Sequence, residues 1–168
     1  GLAAAFKAAG MPELIDDEGL VRTGKGEAML IGMAMAAMTG RRYLGYVDAD
    51  NYVPGAVNEY CKAYAAGLHL ASADSPYSMV RISWHSKPKL RDGRLFFSRR
   101  GRSSEVTNMF LNRLVAEYSG FGTEVIATGN AGEHALSLEL GLRMRLAGGF
   151  AVEPFEYVEL FEQFGGVL

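Results

Sequence analysis

Apolar positions fall in blocks along the chain, separated by Gly-, Pro- and Asp-rich breaks. Residues 2–9 are Ala-rich around Leu2 and Phe6, closed by Gly10 and followed by Pro12, which predicts a helix with a stop signal. Residues 29–38 are Met, Ala, Leu and Ile apart from Gly32, apolar nearly all round, and predict a buried helix whose methionines (Met29, Met33, Met35, Met38) fill core. Leu44, Gly45, Tyr46 and Val47 then run into Asp48-Ala49-Asp50. A continuous apolar run stopped by acid predicts a buried strand ending at a sheet edge. Pro54 marks a helix start, with a body over 56–66. Residues 79–84 read as a strand, Lys87-Pro88-Lys89 and Asp92-Gly93 as turns, and 94–99 as the return strand of a hairpin. Ser103 or Ser104 caps a helix over 105–118 with Val106, Met109, Phe110 and Leu114 on one face. A helix over 135–146, a Gly148-Gly149 break, a short strand at 150–152 and a last helix from Pro154 through Phe164 complete an α/β pattern.

Composition narrows this picture. At 168 residues, 49% apolar and 21% charged, the chain suits one globular domain with a real core. A net charge of −2 leaves no basic excess for a nucleic-acid backbone. The single cysteine, Cys61, excludes an internal disulfide and fits a reducing compartment. No apolar run approaches the ~20 residues of a membrane span; the nearest, 28–38, is short and holds Gly32. With no signal peptide either, a cytoplasmic protein without a membrane partner is expected. The chain starts at Gly1 in helix-like sequence and ends just past a Gly-Gly pair, so both ends read as cut from something longer.

The candidate chemistry centres on Asp48 and Asp50. Ligands of open α/β sheets bind outside the carboxyl ends of strands. Two acids there can hold a hard divalent cation, and the cation a diphosphate; the alternative is a helix cap. Gly24-Lys25-Gly26 precedes the Met-rich helix. It is either a structural turn or an anion site made of helix N–H groups, close backbone approach and one ammonium. It lacks the P-loop spacing. Gly101-Arg102-Ser103-Ser104-Glu105 places basic charge and hydroxyls at a helix start, as a second anion site or as solvated charge. Glu124, next to apolar Val125 and near Phe121, is a catalytic carboxyl, a cap or an ion-pair partner. His85 reads as a rim residue, and the adjacent pair Glu133-His134 lacks helical metal-ligand spacing. The acidic run at 16–18 reads as a solvated turn.

Three stretches carry a resemblance: Arg22-Thr23-Gly24-Lys25-Gly26-Glu27-Ala28, Tyr46 through Ala56 (Tyr-Val-Asp-Ala-Asp-Asn-Tyr-Val-Pro-Gly-Ala), and Thr128-Gly129-Asn130-Ala131-Gly132-Glu133-His134-Ala135. Together they resemble the mannosyl-3-phosphoglycerate synthases, over nearly the whole chain. The resemblance implies a partial GT-A type nucleotide-diphospho-sugar transferase fold, a Rossmann-like sandwich with a mixed sheet. It implies transfer of mannose from GDP-mannose to 3-phosphoglycerate with retention, for mannosylglycerate synthesis, with Mg2+ or Mn2+. It places the donor at Gly24, Lys25, Gly26, Asp48 and Ala49, the metal on Asp50 with Asp48, and a catalytic role on Asp48. Gly101-Arg102-Ser103-Ser104-Glu105 is similar to a Gly-Arg-x-Thr-Glu stretch of the related glucosyl-3-phosphoglycerate synthases, with Ser104 in place of Thr, and Phe121-Gly122-Thr123-Glu124 to their aromatic-Gly-x-Glu; these similarities imply the acceptor phosphate at Gly101, Arg102 and Ser104 and a catalytic role on Glu124. Residues 1–66 then form the donor and metal part and 67–168 the acceptor part of one catalytic domain. The family also suggests a homodimer. Its nucleotide-binding first strand precedes Gly1, and a metal-binding histidine follows Leu168, so the chain reads as the central part of the enzyme. Glucosyl-3-phosphoglycerate synthase, another GT-A transferase, and a non-catalytic nucleotide-sugar binding module are the alternatives.

Overall fold

The computed structural model describes residues 1–49, 55–71, 75–84, 87–98, 102–120, 122 and 124–165. Its helices are α1 (Leu2–Ala8), α2 (Lys25–Met38), α3 (Ala56–Ala71), α4 (Arg102–Ser119), α5 (Leu138–Gly141) and α6 (Val152–Phe164). Its strands are β1 (Tyr43–Tyr46), β2 (Met79–Arg81), β3 (Lys87–Arg91), β4 (Arg94–Ser98) and β5 (His134–Ser137). Short 3-10 turns stand at Pro12–Leu14 and Gly149–Ala151.

A three-stranded antiparallel sheet in the order β1-β5-β2 carries the fold. Tyr46 faces His134 across one ladder, and Arg81 faces the same residue across the other. All four β5 residues are buried, as befits a central strand covered on both faces. This corrects the helix expected over 135–146. Ala135-Leu136 is an apolar run without alternation, which periodicity cannot separate from a buried helix; only 138–141 coil, capped by the Ser137 hydroxyl accepting from the Leu140 N–H.

β1 ends at Tyr46, one residue before the expected Val47 and two before Asp48, and it is an edge strand, only half covered. Leu44 and Tyr46 reach the core around Met33, Leu136, Leu138, Leu140 and Met144. Tyr43 and Gly45 face a cleft of about 1100 Å³ along the outer side of β1, lined also by Val47, Cys61, Tyr64 and Leu138. Helix α3 covers the sheet through Tyr60, Tyr64 and Leu68, packed with Ala135. Gly45 is required there, since a Cβ would overlap the Tyr64 ring.

The expected hairpin is re-paired. Asp92 and Gly93 both take positive φ (51° and 72°), the two-residue turn that matches strand twist, so Arg91 pairs directly with Arg94. That register makes Lys87-Pro88-Lys89 a strand rather than a turn, and it frees β2 to join β5. Helix α4 starts at Arg102, so Ser103 and Ser104 lie inside its first turn rather than capping it. Its expected apolar face (Val106, Met109, Phe110, Leu114) is exposed. The buried side is Asn108, Leu111 and Val115, packed with Ile126, Tyr157 and Phe161. The strand expected at 150–152 is instead a 3-10 turn running into α6, entered through Gly149 at φ +61°.

Candidate functional site

Lys25 is the first residue of α2, behind an extended Gly24. Asp48 follows β1 by two residues. The Lys25 Nζ donates to Asp48 Oδ1 at 2.7 Å, with both side chains about a quarter exposed (25% and 24%). The same ammonium pairs with Glu153 on α6, whose side chain is 3% exposed. Burial works against the Lys25 charge, but hydrogen bonds to Asp48 and Glu153 outweigh it and hold the pKa above its ordinary value.

The glycines around this pair are there for packing. A Cβ on Gly26 would overlap the Ala147 carbonyl, so the segment leading to α6 crosses directly over the first turn of α2. The Glu27 carboxylate accepts the Gly149 N–H at 3.1 Å and also its own N–H, which together pull its pKa down. Glu27 thereby takes up helix-start and loop amides, and Lys25 is the group of this turn that reaches Asp48. A Cβ on Gly132 would overlap the Asp48 carboxylate, so the Thr128–Gly132 stretch lies against the acid. Next to it Glu133 is buried and close enough to Tyr64 to push that phenol's pKa up, after burial itself, with Asp48 adding a smaller push. The Tyr64 hydroxyl donates to the Tyr46 carbonyl at 2.7 Å, and the Tyr46 hydroxyl to the Met29 carbonyl at 2.8 Å, which fixes the end of β1 against α2 and α3.

Beneath the 128–134 stretch lies a buried ion network. Arg81 pairs with Glu156 of α6, donates from Nε to the Thr128 carbonyl at 3.2 Å, and lies 4.7 Å from the Tyr157 ring centre. His134 is fully buried, with Nε2 3.3 Å from Glu156 Oε1 and Nδ1 3.2 Å from the Ala131 carbonyl. Burial raises the Glu156 pKa, but His134 and then Arg81 outweigh it and hold the carboxyl below its ordinary range. The Asn108 carboxamide oxygen accepts from the Gly129 N–H at 2.8 Å, and Asn112 clasps both backbone groups of Ile126 at 2.8 and 2.9 Å, so α4 is fastened to the same stretch.

The described contacts therefore bring Lys25 and Asp48 together, with Gly24, Gly26 and Ala49 adjoining them in the chain. They do not bring Ser104 or Glu124 to that pair. Ser104 is half-buried in the first turn of α4 and Glu124 is exposed. Asp50, Gly101 and His85 lie outside the described residues, as does the side chain of Arg102. The oxygen donors of Asp48 suit a hard divalent cation. Among the described residues, no group of three or more His, Cys, Asp or Glu is placed to share one. His134 stands in the ion network instead. Also among the described residues, no helix is long and apolar enough to cross a membrane.

Sequence reasoning missed Arg81, Glu153 and Glu156, and weighed Glu133 only with His134 as a metal pair. The signal in α6 was present: Glu153, Glu156 and Glu159 recur every third residue and share a helix with Val152, Tyr157 and Phe161. Acids on an apolar stripe predict buried ion pairs, but their cations (Lys25, Arg81, Arg145) stand 14 to 128 residues away.

A family model described as mannosyl-3-phosphoglycerate synthase (osmo_MPGsynth) matches residues 1–167. The chain is 49% identical over 165 residues to mannosyl-3-phosphoglycerate synthase of Pyrococcus furiosus, covering 98% of this chain and 41% of that protein. It is 44% identical over 152 residues to mannosyl-3-phosphoglycerate synthase of Aeropyrum pernix, covering 90% of this chain and 39% of that protein. The chain thus spans about two fifths of the length of these curated relatives.

Proposed function

The chain belongs to the mannosyl-3-phosphoglycerate synthase family, and from that premise we propose that it is the donor- and acceptor-binding centre of a GT-A type mannosyltransferase. The enzyme moves mannose from GDP-mannose to 3-phosphoglycerate with retention, in the cytoplasm, as a homodimer. Residues 1–66 carry the donor part and 67–168 the acceptor part, with Glu153 reaching back from the second to the first. The observation that most supports this reading is the 2.7 Å pair between Lys25, at a helix start, and Asp48, at a strand end.

Asp50 with Asp48 would hold Mg2+ or Mn2+, which when bound would supply positive charge against the donor diphosphate. Lys25 adds a preorganised ammonium beside the same oxygens, where charge grows as the bond to the sugar breaks. Arg102 and Ser104, next to Gly101, grip the acceptor phosphate, which places the acceptor hydroxyl near the anomeric carbon. The hydroxyl oxygen bonds to that carbon on the face the diphosphate leaves, and its proton passes to the leaving phosphate. Configuration is therefore kept. Glu124 orients the sugar or the acceptor.

The test is a transfer assay on the full-length protein with GDP-mannose, 3-phosphoglycerate and Mg2+, the product's anomeric configuration being read by NMR. Asp50→Ala is expected to abolish metal-dependent transfer, and retained transfer overturns the assignment. Competition between GDP-mannose and UDP-glucose separates a mannosyl from a glucosyl donor. Binding of GDP without turnover under any donor marks a binding module instead.

A further inference from the structure

We infer that Glu153 is a positioning residue for Lys25: it fixes the ammonium beside Asp48 so that a nucleoside diphosphate meets a cation already in place. The inference rests on the reading of Lys25 and Asp48 as the donor site, and deepens it. Glu153 acts through Lys25, with which it pairs.

A carboxylate as buried as that of Glu153 is costly to hold without a compensating charge. Lys25 supplies that charge. Glu153 is the second residue of α6, where the helix dipole also favours an anion. Two backbone-level contacts set the distance between the partners. The Ala147 carbonyl packs on Gly26, and the Gly149 N–H is bound by Glu27. The start of α6 is thus clamped on the start of α2, which holds the backbones of Lys25 and Glu153 at pairing distance. Lys25 has three N–H donors. Glu153 and Asp48 account for two, on a side chain still a quarter exposed, which leaves a donor for an incoming anion. Asp48 is the partner that can be traded, because it is itself partly exposed and suited to a metal. Glu153 is the partner that cannot. When a cation takes Asp48, Glu153 keeps Lys25 from leaving with the solvent.

The test is calorimetric titration of GDP with Mg2+ into the full-length protein, with Tm recorded for every variant. Glu153→Gln keeps the shape and removes the charge, and is expected to weaken GDP binding about 10- to 100-fold, the scale on which loss of positioning acts. Lys25→Met is expected to weaken it at least as much, and adding Glu153→Gln to Lys25→Met is expected to change affinity no further. Glu159→Gln, on the same helix but paired with Arg145, is expected to lower Tm without changing GDP affinity. Should Glu153→Gln fail to fold, Glu153→Asp retains the buried charge and is expected to lose affinity in the same direction, less steeply. Parental GDP affinity in the Glu153 variant that folds, or losses at Lys25 and Glu153 that simply multiply, overturns the inference and leaves the donor-site reading standing. Parental affinity in both Lys25→Met and Asp48→Asn overturns the donor-site reading, and the inference with it.

Discussion

Gly24 and Gly26 flank the same lysine and do different things. A side chain on Gly24 would meet the Glu27 carboxylate, which can yield by loosening its bond to the Gly149 N–H, whereas one on Gly26 would meet the backbone of Ala147 and Gly148. Gly26→Ala is therefore expected to destabilise the protein by about 1–3 kcal/mol, as overpacking of a closed site does. Gly24→Ala is expected to cost less than half of that; chemical denaturation of the two variants reads the difference, and equal losses would show that α6 does not press on the first turn of α2. The sequence placed both glycines at a helix start and suggested a close approach of backbone to ligand. In Gly26 the close approach is real, but it is made by the protein's own carbonyl. That distinction was not legible, because Ala147 lies 121 positions away and nothing local marks it. Asp48 at a strand end and Lys25 at a helix start were legible, since each follows from its immediate neighbours: an apolar run stopped by acid, and glycine before a strong helix former.

At the scale of elements, α4 shows what apolar periodicity can and cannot say. Val106, Met109, Phe110 and Leu114 do share a face at helical spacing, but Phe110 is 59% exposed while Leu111 is 6% exposed. Two asparagines decide the orientation. Asn108 and Asn112 bind the backbone at Gly129 and Ile126, and those bonds turn the Leu111–Val115 side inward. Leu111→Ala is expected to destabilise this chain by about 2–5 kcal/mol through loss of packing and a residual cavity. Phe110→Ala is expected to stay within about 0.5 kcal/mol, and thermal denaturation of the 168-residue chain distinguishes them. Helix starts at Leu2 and Lys25 and the Asp92-Gly93 turn were readable from caps, breakers and turn chemistry. β5 was not, because a central strand buried on both faces loses the alternation that identifies strands. The partner of β4 was missed for a related reason: the two-residue turn fixes register more tightly than the Pro88 signal suggested.

Across the whole molecule, α6 is the element that reaches farthest. Glu153 holds Lys25, Glu156 holds Arg81 and stands by His134, and Glu159 holds Arg145. Hydrogen bonds from the Arg145 side chain and backbone hold the Glu159 pKa down against burial, and the Glu156 pKa is lowered as well. A carboxyl whose folded pKa is depressed adds stability that is present above its unfolded value, here about 4.5, and is lost as pH falls through the folded value. The denaturation midpoint is thus expected to be nearly level around neutral pH and to fall in acid below about 4.5. Glu156→Gln is expected to cost about 3–5 kcal/mol at pH 7, by leaving Arg81 buried without its counter-ion, and to flatten part of the acid slope; urea titrations at pH 7 and pH 4 measure both. A slope unchanged in that variant would remove Glu156 from the account. The same helix also sets an order of events during synthesis. Lys25, Asp48 and Arg81 have all been made well before residue 152, and two of the three cations paired with α6, Lys25 and Arg81, belong to segments packed about the end of β1. A nascent chain that has not yet released α6 carries the acid and the lysine of the site as an unbraced pair, with Arg81 seeking a carboxylate that does not yet exist. α6 is made after the partners it braces, so, if Lys25 and Asp48 form the proposed donor site, a ribosome-bound intermediate is expected to gain diphosphate affinity once residues 152–156 have cleared the exit.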